Sequence, residues 1–236
     1  MSVAENIARI RERISQAAAR ADRSPNSITL MAVSKTVEPE RIHQAYAAGL
    51  RVFGENRVQE FAEKSAALVD LKDSEWHLIG HLQSNKAKKA AELFQAVDSV
   101  DSLRLAERLN QAAQEADKKL SVLIEIKVSE EESKAGMVGG SDELDELLNA
   151  APRLGGLQIR GLMTVPRFTE DPEGARPYFR MLRELRDAIA ALNLPRVQMD
   201  VLSMGMSHDF EVAIEEGSTC VRVGTAVFGE RPKPGA

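Results

Sequence analysis

Between Ala4 and Asp22 the apolar residues Ile7, Ile10, Ile14, Ala17 and Ala18 recur every three or four positions among arginines and glutamates. That period predicts an amphipathic helix at the start of the chain. Beyond Ser24-Pro25-Asn26 the pattern changes to short apolar runs that alternate with helical periods. Eight runs read as strands: Ile28–Ser34, Arg51–Gly54, Trp76–Gly80, Ala96–Val100, Val122–Val128, Ile159–Val165, Met199–Ser203 and Cys220–Gly224. Helical stretches lie between them, including Glu40–Ala48, Val58–Val69, Leu103–Ala116, Glu143–Ala150, Pro177–Leu192 and Asp209–Glu216, several followed by glycine or proline. Strand and helix in regular alternation define the α/β class, and eight such units predict a single (β/α)8 TIM barrel with an extra N-terminal helix. The competing fold is a doubly wound open sheet. It usually has fewer strands and a glycine-rich phosphate loop after the first, whereas here the first strand ends in Ser34-Lys35-Thr36.

No low-complexity tract or long linker interrupts the pattern, so residues 1–236 are expected to form one domain. With 43% hydrophobic and 28% charged residues the chain can bury a substantial core. Its net charge of -5 argues against a nucleic-acid surface, and no apolar run approaches the ~20 residues of a membrane helix. The expected partner is a small molecule. A lone cysteine, Cys220, rules out an intramolecular disulfide, and the first residues lack a basic flank followed by an apolar signal core, so the expected compartment is the cytoplasm.

In a barrel of this kind the reactive groups gather at the C-terminal ends of the strands, and phosphate is commonly held after the seventh and eighth. Lys35 ends the first candidate strand, Asn56 follows the second, His81 the third, Met163 and Thr164 end the sixth, Ser203 the seventh, and Arg222 to Thr225 the eighth. All are expected to converge on one mouth. A deprotonated lysine can form a Schiff base with an aldehyde, although an unperturbed pKa of ~10.4 leaves little free amine unless the site lowers it. Glycines and hydroxyls near a helix start suit a phosphate, and Ser203, Ser207, Gly224 and Thr225 supply them. Ser207 is also placed to cap a helix opening at His208-Asp209-Phe210-Glu211. Pyridoxal 5'-phosphate carries both an aldehyde and a phosphate.

Other residues fill out that site. Arg222 and Gly224 are two apart and so share the inward face of their strand, where the guanidinium can meet the pyridine nitrogen. So basic a donor leaves the ring unprotonated, which favours holding the cofactor or racemase-like chemistry over transamination. Asn56 can bond the ring oxygen or the Schiff-base region and Met163 can pack on the ring, while Met163, Met204 and Met206 serve equally well as core filling. His77 and His81 are four apart, but in a strand that spacing builds no helical zinc pair and no third ligand is evident, so no metal is expected. Lys134 reads either as a loop charge or as a secondary cofactor contact.

Seven motifs in order carry a resemblance along essentially the whole chain: Ala32–Lys35, Phe53–Glu60, Trp76–Lys86, Glu132–Gly136, Gly161–Thr164, Leu202–Ser207 and Val221–Arg231. The chain resembles the pyridoxal phosphate homeostasis proteins, the YggS/PROSC-like family. The resemblance implies a barrel like the cofactor domain of alanine racemase, pyridoxal phosphate on Lys35 as a Schiff base, and a role as carrier or buffer without a catalytic reaction. A monomer is the expected state, and apo-enzymes that use the cofactor are the expected macromolecular partners. One position departs from it: where relatives commonly have Val-Asn, this chain reads Ile126-Lys127-Val128, and no role is carried over there. The alternative is a racemase-like enzyme. Racemases of this fold add a second, β-rich domain that contributes a tyrosine, whereas here Ala236 is only 12 residues beyond Gly224 and the two tyrosines, Tyr46 and Tyr178, fall in candidate outer helices. No catalytic residue is therefore assigned.

Overall fold

The computed structural model describes residues 1–129 and 135–230. At its start the Ser2 hydroxyl accepts from the Glu5 amide while the Glu5 carboxylate accepts from the Ser2 amide, and this reciprocal cap begins α1 (Val3–Arg20). The isoleucine stripe of α1 is buried, as its period requires. The chain then runs through β1 (Thr29–Val33), α2 (Pro39–Ala47), β2 (Val52–Glu55), α3 (Val58–Lys64), β3 (Glu75–Leu78), α4 (Ala87–Leu93), β4 (Ala96–Val100) and α5 (Leu103–Glu115). It continues with β5 (Leu120–Lys127), β6 (Met137–Val138), α6 (Asp142–Ala150), β7 (Leu157–Met163), α7 (Arg176–Ala191), β8 (Val197–Ser203), α8 (Phe210–Glu215), β9 (Cys220–Val223) and α9 (Thr225–Phe228).

All eight strand candidates form, with ends shifted by one or two residues at most. They pair in the order β4-β3-β2-β1-β9-β8-β7-β5, every pair parallel, and β4 also pairs with β5. That last pairing closes the ring. An open doubly wound sheet is excluded, because it would leave two edge strands unpaired. The two-residue β6 was not expected; it lies beside Ile126 and Lys127 of β5, outside the ring. The expected helix Val58–Val69 is shorter than its apolar pattern: α3 stops at Lys64 and a tighter 3-10 turn spans Ser65–Leu68, where the Ser65 hydroxyl donates to the Ala62 carbonyl.

Strand alternation divides the wall into two faces. Outward residues join the helices in the main core, where Phe53, Phe61, Trp76 and Phe94 stack with centroid separations of 4.6–4.9 Å. Inward residues include Met31, Gly54, His77, Leu123, Met163 and Cys220, and the registers Met31↔Arg222, Gly54↔His77 and Met163↔Ser203 keep each on one face. Among the described residues no helix is long and apolar enough to cross a membrane.

Candidate functional site

Because every barrel strand runs the same way, the residues that follow their C-terminal ends share one end of the barrel. Lys35 sits half-buried just beyond β1 and Asn56 half-buried just beyond β2. His81, past β3, is exposed, with Nδ1 2.9 Å from Asp101 Oδ2. Met163 and Ser203 close β7 and β8 and are fully buried. Gly224 is half-buried and Thr225 exposed at the start of α9. The seam between β1 and β9 joins the first and last strands: Met31 pairs with Arg222 and Ala32 with Val223. A Cβ on Gly224 would lie 3.4 Å from both Val33 Cβ and Val33 O, so Lys35, two residues on, belongs to the same corner of the mouth as the Gly224–Thr225 turn. Lys134 lies outside the described residues.

The turn after β8 is shaped for close approach. Gly205 has φ +93, and a Cβ there would fall 2.5 Å from Ala213 Cβ, so only glycine fits. The Met206 amide donates to Asp209 Oδ1 at 2.6 Å. The sequence expectation that Ser207 caps the next helix is corrected here: α8 begins at Phe210 with Asp209 at the cap position. Ser207 turns the other way, and its hydroxyl accepts from the Ala226 amide at 3.3 Å, tying the β8 turn to the first turn of α9. From α1, Asn6 Nδ2 donates to the Val227 carbonyl at 3.0 Å and fixes α9 from behind.

Beneath the mouth the barrel is charged. Arg222 is 3% exposed; its Nη1 donates to Ser203 Oγ and its Nη2 to the Thr164 carbonyl, each at 2.7 Å. Ser203 is thus engaged below the turn, and the half-buried Ser207 offers that segment's more accessible hydroxyl. Burial lowers the Arg222 pKa, opposed by the Cys220, Asp98, Glu125 and Asp209 groups around it. Glu125, inward on β5, is pushed up to about 7 by burial and by the Asp101 charge, with Arg222 and His81 pulling the other way. Lower still, Asp98 is buried and both its oxygens lie 3.1 Å from His77 Nδ1. Burial alone would push His77 down, but Asp98 and Glu75 outweigh it and raise the imidazole to about 9.

Sequence reading missed Glu125 and Asp98. The available signal was a single acid in an otherwise apolar strand run, Leu123-Ile124-Glu125-Ile126 and Ala96-Val97-Asp98-Ser99-Val100. Alternation with Val97 on one strand and with Ile124 and Ile126 on the other, which pack outward in the core, turns both acids to the axis.

The His77 pair has a consequence for pH. The folded pKa lies above the ordinary 6.5, so its stabilisation is fully present below pH 6.5 and is lost as pH rises through about 9. The swing is on the order of 3 kcal/mol. Urea midpoints measured from pH 6 to 9.5 are expected to fall across that window, and in His77→Gln the alkaline fall is expected to flatten. A wild-type midpoint that stays level to pH 9.5 would refute the ion pair.

The sequence profile of the family described as "Alanine racemase, N-terminal domain" matches residues 6–232. A pyridoxal phosphate homeostasis protein of Aquifex aeolicus is 48% identical over 231 residues, covering 98% of this chain and 99% of that protein. The Escherichia coli K12 protein of the same name is 46% identical over 231 residues, covering 97% of each. Among solved structures, PipY of Synechococcus elongatus PCC7942 with PLP bound superposes with a TM-score of 0.82 at 38% identity, over 97% of this chain and 100% of PipY.

Proposed function

This chain belongs to the pyridoxal phosphate homeostasis proteins, within the alanine racemase N-terminal domain family, and from that premise we propose that it binds pyridoxal 5'-phosphate at the mouth of the barrel and holds it covalently through Lys35, as an intracellular carrier or buffer. When bound, the cofactor supplies an aldehyde open to a neutral amine and a ring whose electronics follow the donor at its nitrogen. The donor set fits such a group. Lys35 offers the amine, and Ser207, Gly224 and Thr225 surround a place for the phosphate, with Ser203 beneath them. Arg222, held by Ser203 and the Thr164 carbonyl, would face the ring nitrogen and would withhold a transferable proton. Asn56, His81 and Met163 would supply the remaining contacts.

The observation that supports this reading is the β1–β9 seam, which sets the strand leading into Lys35 beside the strand leading into the Gly224–Thr225 turn. A carrier function is supported by the relatives' name and by the donor at the ring, since Arg222 is a strong base rather than a carboxylic acid. The chain is taken to act as a single domain in the cytoplasm, with apo-enzymes as recipients. Borohydride reduction of the protein loaded with pyridoxal 5'-phosphate, followed by peptide mass mapping, is expected to place the label on Lys35. The same preparation, given an amino acid in deuterated water, is expected to show no α-proton exchange at a catalytic rate. A label on Lys127 or Lys134 would overturn the attachment, and rapid exchange would overturn the carrier.

A further inference from the structure

Lys35 is flanked by two residues that are tied, one on each side, to a buried cluster outside the barrel wall. Glu55 ends β2 facing outward, and its side chain is fully buried. Its Oε1 accepts from Ser34 Oγ at 2.5 Å and from the Lys64 ammonium at 2.8 Å. Lys64, at the end of α3 with a side chain 10% exposed, also donates to the Ser34 carbonyl at 2.9 Å and to Glu60 Oε1 at 3.2 Å. An ammonium has three donors, and these three acceptors use all of them. Glu60 Oε1 in turn accepts from the Thr36 amide at 2.5 Å. Thr36 has φ +59, a left-handed conformation that a β-branched residue adopts only under constraint, at a cost of about 1–3 kcal/mol. The cluster therefore holds the carbonyl before Lys35 and a strained amide after it.

We propose that Lys64, Glu55 and Glu60 are positioning residues for Lys35, an ionic clamp that fixes the Ser34–Thr36 turn so that the Lys35 amine is presented to an incoming aldehyde at the barrel mouth. The proposal rests on Lys35 as the attachment residue. The three acceptors come from the end of β2, the residue just past β1 and the helix α3, and two of the clamped groups are the peptide bonds on either side of one lysine. A purely structural ion pair between β2 and α3 would have no need of either peptide. The nucleophile's direction is the property such ties control, because a small misplacement of a reacting group costs rate out of proportion to its size.

The test is the rate at which pyridoxal 5'-phosphate becomes reducible onto the protein, with the label mapped to its lysine. Glu60→Gln keeps an oxygen for the Thr36 amide and is expected to attach at close to the wild-type rate. Glu60→Ala frees that amide and is expected to attach at least about ten-fold more slowly at Lys35, with the thermal midpoint little changed because Glu60 is partly exposed. Lys64→Met alone would strand a buried carboxylate, so the companion is Glu55→Gln/Lys64→Met, which removes both charges at once. This double variant is expected to fold and to attach slowly as well. Wild-type attachment rates at Lys35 in both Glu60→Ala and the folded double variant would overturn the clamp. A wild-type label mapped away from Lys35 would instead overturn the attachment reading on which the clamp rests.

Discussion

Lys35→Ala is expected to abolish covalent retention of pyridoxal 5'-phosphate. After borohydride treatment and denaturation the variant should carry no label, where the wild-type chain carries one. Lys35 is half-buried and follows the end of β1, and a cooperative thermal transition in the variant is the accompanying check that the barrel is folded. The phosphate-suited groups Ser207, Gly224 and Thr225 remain in the variant, so weak cofactor binding that dialysis removes is the expected residue of function. An unchanged yellow chromophore with unchanged trapping in Lys35→Ala would remove the basis of the proposed function.

The largest expected loss of stability comes from Arg222→Met. The guanidinium is buried, donates to Ser203 Oγ and the Thr164 carbonyl, and faces the carboxyl groups of Glu125, Asp98 and Asp209. Methionine replaces the volume but none of the charge, and removing one partner from a buried charged cluster costs about 3–5 kcal/mol. The deficit should depend on pH. Glu125 has a folded pKa of about 7 against an ordinary 4.5, so its charged form is disfavoured in the fold and stability is lost as pH rises through about 7. Without Arg222 the carboxyl is pushed higher still. Denaturant midpoints should therefore show Arg222→Met furthest below wild type above pH 7 and closer to it at pH 5, where Glu125 is protonated in both. Arg222→Lys keeps the charge and loses the paired donors, and should fall between. Equal midpoints for Arg222→Met and wild type at pH 8 would show that the interior charges are hydrated rather than paired.

Much of this molecule was legible before its structure. The eight strand runs, the N-terminal helix and the order of strand and helix all follow from local periodicity, because a residue's preference for one face of a strand or helix is set within a few neighbours. The positions following strand ends were legible for the same reason: once the barrel is inferred, parallel strands put Lys35, Asn56, His81 and Gly224 at one end. Ser207 was harder. Its hydroxyl could cap a following helix or reach across to another, and only the path of the chain between β8 and α9 settled that it meets the Ala226 amide. Glu125 and Asp98 were overlooked because a single acid in an apolar run gives no sign of its partner.

The sequence by itself determined which segments become strands and helices, that their alternation closes a barrel, and that an amine and a glycine–hydroxyl turn lie at strand ends. The tertiary structure alone decided who stands beside whom: Arg222 on Ser203 and Thr164, His77 on Asp98, and Lys64 bridging Glu55, Glu60 and the Ser34 carbonyl. The physical reason is range. Backbone periodicity is written in contacts a few residues apart, whereas a buried charge is satisfied by partners that ring closure brings from distant parts of the chain, and their identity depends on register and burial that no local pattern encodes.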